Sequence, residues 1–272
     1  MLMRVRPRPQ AALRRTSKAM AAGLRGAGER ATTAGVRFRA VTFDAGGTLF
    51  DVAEPVGVTY ARVAAAYGIT VAPDVVQQGF RSAFAAALPL AFPGASPTRL
   101  AEHERAWWYT LVRTAFGTAA RAGDFDACFD ALFAHYARAE AWRVFPDVPE
   151  ALAGLRARAI RTAVVSNFDG RLPGLLRDLG LTPLLDATVW STRVGHAKPD
   201  PAPFDAALRA LAVPAADAAH VGDGSADVEG ARRAGLTPIA IVREPGGATP
   251  AGVATIRSLA ELPAALDPAA QP

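Results

Sequence analysis

Beyond residue 36, short apolar runs alternate with longer stretches in which apolar residues recur every three or four positions. The short runs are typical of buried strands, and the longer spacing is typical of amphipathic helices. Strands that alternate with helices indicate a parallel sheet covered by helices. The predicted strands are 36–43, 161–166, 188–191, 219–222 and 238–242, and the predicted helices around them are 149–159, 171–179, 201–211 and 227–234.

A long segment separates the first predicted strand from the second. More than 100 residues lie between positions 43 and 161, far more than a crossover connection needs. Residues 60–142 are rich in alanine and are predicted to be wholly helical. We therefore expect a helical cap domain over residues 55–142, inserted into a Rossmann-like α/β core of residues 36–54 and 143–262. Ligands of open α/β sheets bind at the carboxyl ends of the strands, so the cap would cover that site.

The positive charge of the chain is concentrated at its beginning. The net charge is +5, but residues 1–39 alone carry nine arginines and Lys18 against Glu29, which leaves +5 − 9 = −4 for the remainder. A mildly acidic body does not indicate nucleic-acid binding. The composition of residues 1–35 predicts that they form a basic, disordered tail. A dispensable upstream extension is the favoured interpretation, and a targeting peptide or a polyanion-binding arm are the alternatives.

The remaining composition restricts the environment of the protein. No stretch approaches the roughly 20 consecutive apolar residues that a membrane span needs, so we expect no membrane partner. Cys128 is the single cysteine, which excludes an internal disulfide and suits a reducing compartment. The expected location is the cytoplasm, or an organelle if the arginine-rich beginning is a transit peptide. The oligomeric state stays open.

Polar residues that could take part in catalysis or binding directly follow predicted strands or lie in the loops next to them. Carboxyl ends of parallel strands share one edge of a sheet, so these residues should meet there. Clustered carboxylates favour a hard divalent cation, and a magnesium ion with a lysine suits a phosphoryl group. The segments are Asp44-Ala-Gly46-Gly-Thr48, Ser166-Asn167, Ala197-Lys198-Pro199-Asp200 and Gly222-Asp223-Gly-Ser225-Ala-Asp227.

These four segments resemble, in order and spacing, the signature motifs of the haloacid dehalogenase (HAD) superfamily. The helical insertion resembles the cap of its type I members, subfamily IA, and the resemblance covers about residues 36–245. The stretch that begins Phe145-Pro-Asp-Val-Pro-Glu is similar to the phosphatase-like branch. The resemblance implies a Mg²⁺-dependent phosphatase that acts on a small phosphorylated metabolite, an ester or an anhydride, through an aspartyl-phosphate.

The resemblance also implies roles for the polar residues in catalysis and substrate binding. Asp44 would be the nucleophile, and Thr48 would order the loop that follows it. Ser166 and Asn167 would bind a phosphoryl oxygen. Lys198 would neutralise the nucleophile and the charge that develops during transfer.

The same resemblance implies the ligands of the magnesium ion. Asp44 and Asp223 would bind it through carboxylate oxygens, and Gly46 would contribute its backbone carbonyl. Asp227 would bind the ion or orient its surroundings.

One position departs from the pattern of the phosphatases. They carry a second aspartate two residues after the nucleophile, where this chain has Gly46. That aspartate protonates the leaving group, and such general acid–base help contributes about 10²–10⁴-fold. We therefore predict a preference for activated leaving groups. His196 and Asp169 are considered as substitutes, but a solvated loop histidine and a helix N-cap are the favoured interpretations.

Two other functions remain as alternatives. The first is a 2-haloacid dehalogenase, which needs no metal, and against which the acidic pair Asp223 and Asp227 argues. The second is a catalytically weak HAD-fold binding protein. Activity that resists a chelator would favour the first, and lack of turnover despite Mg²⁺ binding would favour the second.

Overall fold

The computed structural model describes residues 38–244, 247 and 249–267. The predicted tail of residues 1–35 and the first two residues of the first predicted strand lie outside this part of the chain. The strands are β1 (Ala40–Phe43), β2 (Phe50–Val52), β3 (Trp142–Val144), β4 (Arg161–Ser166), β5 (Ala187–Trp190), β6 (Ala218–Gly222), β7 (Thr237–Ile241) and β8 (Ala254–Ile256).

The described α-helices fall into two groups along the chain. Those between β2 and β3 are α1 (Val56–Ala65), α2 (Pro73–Ala86), α3 (Pro97–Phe116) and α4 (Phe125–His135). Those that follow β3 are α5 (Val148–Ala157), α6 (Leu172–Asp178), α7 (Ser191–Val194), α8 (Ala202–Leu211), α9 (Ser225–Arg233) and α10 (Leu262–Ala265).

A six-stranded parallel sheet confirms the predicted α/β class. Its strand order is β5-β4-β1-β6-β7-β8, so β1 lies between β4 and β6. Phe43 is paired with Val164 on one side and with Val221 on the other. This register places the residue after β1 between the ends of two neighbouring strands, which is the edge where the sequence predicts the site.

Side chains of β1 alternate between two buried layers, as the pleat of a strand requires. Val41 and Phe43 pack in a cluster with α5, α6 and α10. Ala40 faces the other layer, where Phe204 of α8 and Ala231 of α9 cover the sheet. The central strand is therefore buried on both faces, which explains its continuous apolar sequence.

The predicted helical insertion is present as α1–α4, and it has its own apolar cluster around Tyr60, Val112 and Phe129. Its boundaries contain a feature that the sequence did not predict. β2 and β3 pair antiparallel, with Phe50 opposite Val144, and together form a ribbon beside the main sheet. Trp142 therefore lies in a strand, although the predicted helical segment included it. The division into a core and a cap stays a prediction.

Other element boundaries shift by a few residues. The strand predicted at 188–191 is Ala187–Trp190, and Ser191 begins α7 instead. β8 was not predicted, because it has three residues and lies at the edge of the sheet that the described residues form, where β7 is its neighbour. Among the described residues, we find no helix with the length and apolarity to cross a bilayer.

Candidate active site

A lysine bridges two aspartates at the carboxyl edge of the sheet. Asp44 follows β1, and its backbone N–H donates to the carbonyl of Val221 at 2.9 Å. The Nζ of Lys198 donates to Oδ1 of Asp44 at 2.7 Å and to Oδ1 of Asp227 at 2.5 Å. Lys198 and Asp227 are buried. The ammonium group is thus held between a carboxylate that follows β1 and a carboxylate in the first turn of α9.

The ionisation of this cluster follows from burial and from the short distances within it. Burial raises the pKa of Asp44, and Lys198 opposes that shift only in part. Burial alone would raise the pKa of Asp227, but Lys198 and His220 hold it well below its usual range. Burial would lower the pKa of Lys198, yet the two carboxylates outweigh it and raise that pKa. Lys198 is therefore charged at neutral pH.

Asp223 is the third carboxylate of the cluster. One carboxylate oxygen from each of Asp44, Asp223 and Asp227 lies within 4.8 Å of the others. Desolvation, together with the negative charges of Asp44 and Asp227, raises the pKa of Asp223 to about 7. Carboxylates with this degree of mutual repulsion are suited to a cation placed between them.

The charge of the site matches a divalent ion. Three carboxylates against the one ammonium of Lys198 give −3 + 1 = −2 when all four groups are ionised. His220 contributes no charge, because burial lowers its pKa. Mg²⁺ prefers oxygen donors, and the net charge of −2 would offset the charge of the ion, so these residues fit it.

The loop after Asp44 turns tightly against Asp223. Gly47 has φ +71°, and a Cβ there would lie 2.4 Å from Oδ2 of Asp223. A residue with a side chain would therefore push Asp223 away. Gly46 differs, because its φ is not positive and a Cβ added to it would meet nothing within 4 Å. The loop continues into β2 through a bridge between Gly46 and Phe50.

Thr48, Ser166 and Asn167 lie around this cluster in different ways. Thr48 is buried, and its hydroxyl lies 3.5 Å from Oδ1 of Asp223, at the limit of a hydrogen bond. Ser166 is the buried last residue of β4. The Asn167 side chain accepts from the Lys198 N–H at 2.7 Å and donates to its carbonyl at 3.0 Å. The Asn167 amide therefore fixes the loop that carries Lys198.

A buried histidine supports Asp227 from behind, and the sequence did not single it out. His220 Nε2 lies 3.0 Å from Oδ1 of Asp227, and its Nδ1 lies 2.8 Å from the Thr42 hydroxyl. A carboxylate can only accept, so a neutral His220 donates from Nε2 and accepts at Nδ1. Oδ2 of Asp227 accepts from the Gly224 N–H at 3.0 Å. Protein groups thus bind both oxygens of Asp227.

A second unpredicted contact holds the Asp44 loop in place. Arg243 donates to the carbonyl of Thr48 from Nε at 3.0 Å and from Nη2 at 2.6 Å. Its Nη1 binds both carboxylate oxygens of Asp147 at 3.1 Å. No motif signals these residues, because an arginine that binds a backbone carbonyl leaves no spacing pattern in the sequence.

The two residues considered as substitutes for the missing acid are engaged elsewhere. His196 is half exposed and lies 3.2 Å from a carboxylate oxygen of Asp200. Asp169 is fully buried, and it binds the guanidinium of Arg171 and the indole N–H of Trp108. Neither contact includes a member of the Asp44 cluster.

Sequence comparison now identifies the family. Residues 38–235 match the family described as haloacid dehalogenase-like hydrolase, and this range contains every member of the cluster. The chain belongs to the HAD-like hydrolase family. It is therefore a hydrolase, and the predicted resemblance to this family is confirmed.

Similar proteins include phosphatases and proteins named only for the family. This HAD-like hydrolase is 34% identical over 213 residues to haloacid dehalogenase-like hydrolase domain-containing protein 3 of Homo sapiens, covering 76% of this chain and 83% of the human protein. It is 39% identical over 170 residues to a plasmid-encoded phosphoglycolate phosphatase of Cupriavidus necator, covering 58% and 73% of the two chains. Its fold matches a HAD phosphatase from Thermococcus onnurineus with a TM-score of 0.61 at 24% identity, covering 84% and 98%.

Proposed function

We propose that this HAD-like hydrolase is a Mg²⁺-dependent phosphatase with Asp44 as its nucleophile. The observation that carries the proposal is the cluster at the sheet edge, in which Lys198 bridges Asp44 and Asp227 while Asp223 lies beside them. Three carboxylates in a site whose net charge is −2 support the binding of a divalent cation. The phosphoglycolate phosphatase relative supports phosphoryl transfer.

In the proposed reaction, an oxygen of Asp44 attacks phosphorus while the bond to the leaving oxygen breaks. The leaving oxygen takes its proton from water, and an aspartyl-phosphate remains on the enzyme. Water then attacks that phosphorus, which releases phosphate and restores the Asp44 carboxylate. Lys198 offsets the negative charge of the nucleophile and of the transferred group.

Asp44, Asp223 and the carbonyl of Gly46 would hold the magnesium ion, with Asp227 beside them. The ion supplies charge neutralisation for the phosphoryl oxygens. Asp227 has both oxygens bound by protein donors, which supports a role in positioning Lys198. Ser166 and the backbone around Asn167 would receive a phosphoryl oxygen at the end of β4. The helical insertion would serve as the cap over this site.

The experiment that tests the function is phosphate release with and without a divalent ion. We expect the purified protein to release phosphate from 4-nitrophenyl phosphate with Mg²⁺ and to lose this activity in EDTA, with recovery when Mg²⁺ is added back. Activity in EDTA toward 2-chloropropionate, with no phosphate release, would instead establish the dehalogenase. Mg²⁺ binding without turnover on a panel of phosphate esters and anhydrides would establish a binding protein.

A further inference from the structure

An aromatic cavity lies between the helical insertion and the sheet. Its walls come from α1–α4, from the β2–β3 ribbon and from the loop after β4. Its volume is about 80 Å³, which exceeds the roughly 10–15 Å³ that one water molecule needs and is smaller than the roughly 150 Å³ of an apolar cavity that binds benzene. An aromatic ring that enters it must therefore displace some of the side chains that line it. The aromatic side chains that line it include Tyr60, Phe80, Trp108, Phe133, Trp142 and Phe168.

The chain connects this cavity to the candidate active site at two points. Phe168 is two residues beyond Ser166, which limits the separation of their backbones to roughly 7 Å. On the other side, Gly46 pairs with Phe50, and the ring of Phe50 meets that of Trp142 edge-on at 5.3 Å. These two connections support placing the aromatic cavity next to a phosphoryl group that is bound at Asp44.

The one charged side chain that lines the cavity among the described residues is already neutralised. Arg171 donates from Nε to Oδ1 of Asp169 at 2.9 Å and from Nη2 to Oδ2 at 2.7 Å. Its Nη1 donates to the carbonyl of Phe133 at 3.2 Å. Asp169 is fully buried and also accepts from Trp108 at 2.6 Å. A bidentate pair with these contacts leaves no free positive charge for an anionic ligand.

The tyrosines of the cavity are neutral as well. Burial raises the pKa of Tyr136 to about 12 and raises that of Tyr60 further. The lining is therefore aromatic and aliphatic, with uncharged hydroxyl groups. A carboxylate placed here would lose its hydration without gaining a counter-ion, which is costly. An uncharged ring would gain apolar burial and ring–ring contacts.

We propose that this cavity binds the leaving group of the substrate, and that the leaving group is an uncharged aromatic or similarly apolar alcohol. This inference rests on the proposed phosphatase function. It predicts a different substrate from that of the phosphoglycolate phosphatase relative, because glycolate carries a carboxylate and this cavity offers that carboxylate no free cation. The substrate is then an aryl-type phosphate monoester, with its phosphoryl group at Asp44 and its ring among Trp108, Trp142 and Phe168.

Two aryl phosphates distinguish the effect of an apolar leaving group on binding from the effect of its acidity on reactivity. 4-Methylphenyl phosphate and 4-(carboxymethyl)phenyl phosphate release phenols of similar acidity, but only the second carries an additional charge. We expect kcat/KM to favour the methyl compound by about tenfold or more, the range that apolar pockets achieve for small groups. Equal values, or a preference for the carboxymethyl compound, would overturn the proposal while leaving the phosphatase function intact.

A matched pair of variants on α1 tests the location of the binding site. Val56 lines the cavity, whereas Val58 on the same helix is 38% exposed. Val56→Phe should fill the cavity and remove the preference, and Val58→Phe should keep it. If melting shows that Val56→Phe does not fold, Val52→Phe on β2 fills the same cavity. If a folded variant with a filled cavity still prefers the methyl compound, the ring of the substrate binds elsewhere and the proposal is wrong.

A binding measurement tests the cavity without any turnover. Bromine quenches nearby indoles, so 4-bromophenol should quench the emission of Trp108 and Trp142 with a saturable curve in the wild type and in Val58→Phe. The curve should be lost in Val56→Phe. If neither phosphate ester is hydrolysed, the phosphatase proposal fails. This titration still shows whether the cavity binds an uncharged aromatic alcohol. Quenching that does not saturate, or that is equal in both variants, would overturn it.

Discussion

Asp44 is the residue on which the proposed chemistry depends most directly. An amide is close to a carboxylate in shape but is a far poorer nucleophile, so we expect Asp44→Asn to lower kcat by roughly 10⁴–10⁶-fold. The fold should persist, because the change removes one negative charge from a crowded cluster and leaves Lys198 paired with Asp227. Phosphate release and thermal melting measure the two effects. Asp51→Asn, at an exposed position of β2, is the control and should keep full activity.

Gly46 determines which leaving groups the proposed enzyme accepts. We expect the wild type to hydrolyse aryl phosphates much faster than alkyl phosphates, since no side chain at position 46 protonates the departing oxygen. The absence of a positive φ and the free space around its Cβ position allow an aspartate there. Gly46→Asp should raise kcat/KM for alkyl phosphates toward the roughly 10²–10⁴-fold that an acid contributes, with a smaller gain for aryl phosphates.

The control for this change is Gly154→Asp on α5, where an added Cβ also meets nothing within 4 Å. It should leave both activities unchanged. If the wild type already hydrolyses alkyl and aryl phosphates equally well, another group supplies the proton. Asp169 would then be a poor candidate, because Arg171 and Trp108 occupy both of its oxygens.

The sequence located the residues of the cluster because Asp44 and Asp223 directly follow apolar strands, and Lys198 and Asp227 lie in the segments that come soon after strands. It did not reveal His220 or Thr42, which lie inside strands and follow the ordinary alternation of a sheet. It also gave no indication that the Asn167 side chain binds the backbone of Lys198. Such contacts depend on the register between distant strands, which is a property of the folded sheet.

At the scale of elements, a buried carboxylate of α3 binds the loop after β4 and the helix α7. Glu104 accepts from the Gly170 N–H at 3.0 Å and from the hydroxyl of Thr192. We expect Glu104→Ala to lower the free energy of unfolding by about 1–3 kcal/mol, because both donors lose their acceptor. Activity should fall as well, since Gly170 and Phe168 belong to the loop that follows β4.

Glu102 provides the matched control on the same helix. It is exposed and pairs with Arg99 at 3.5 Å, so Glu102→Ala should change stability by less than about 1 kcal/mol. Urea unfolding of both variants measures the difference. Equal stabilities would show that α3 is held by its apolar contacts alone.

The elements that the sequence predicted well are those with a strong repeat. β4 was predicted with its correct bounds, and α5, α6, α8 and α9 were placed within about two residues, whereas the four-residue helices α7 and α10 were not predicted. The β2–β3 ribbon was missed because each strand has three residues, which is too short for a period to be recognised. Its pairing joins positions on either side of the helical insertion, so no local signal could have predicted it.

For the whole molecule, the position of the negative charges makes stability depend on pH and on magnesium. The pKa of Asp223 is raised to about 7 from an ordinary value near 4. Between these values the folded protein binds more protons than the unfolded chain, so its stability falls as pH rises through this range. Asp44, whose pKa burial also raises, acts in the same direction as Asp223. The low pKa of Asp227 has its effect below this range, and the high pKa of Lys198 has its effect above it. His220 acts in the opposite direction, but only below its ordinary pKa of about 6.5.

We therefore expect the melting temperature of the metal-free protein to fall between about pH 6.5 and 7.5, as Asp223 loses its proton, and to level off above that range. Mg²⁺ should restore it most strongly at pH 8. Asp223→Asn removes the titrating carboxylate, so its melting temperature should exceed that of the wild type at pH 8 and should respond weakly to Mg²⁺. The two proteins should approach each other at lower pH, where Asp223 is protonated. A wild-type curve that is flat over this range, or an equal response of both proteins to Mg²⁺, would mean that Asp223 neither repels its neighbours nor binds the ion.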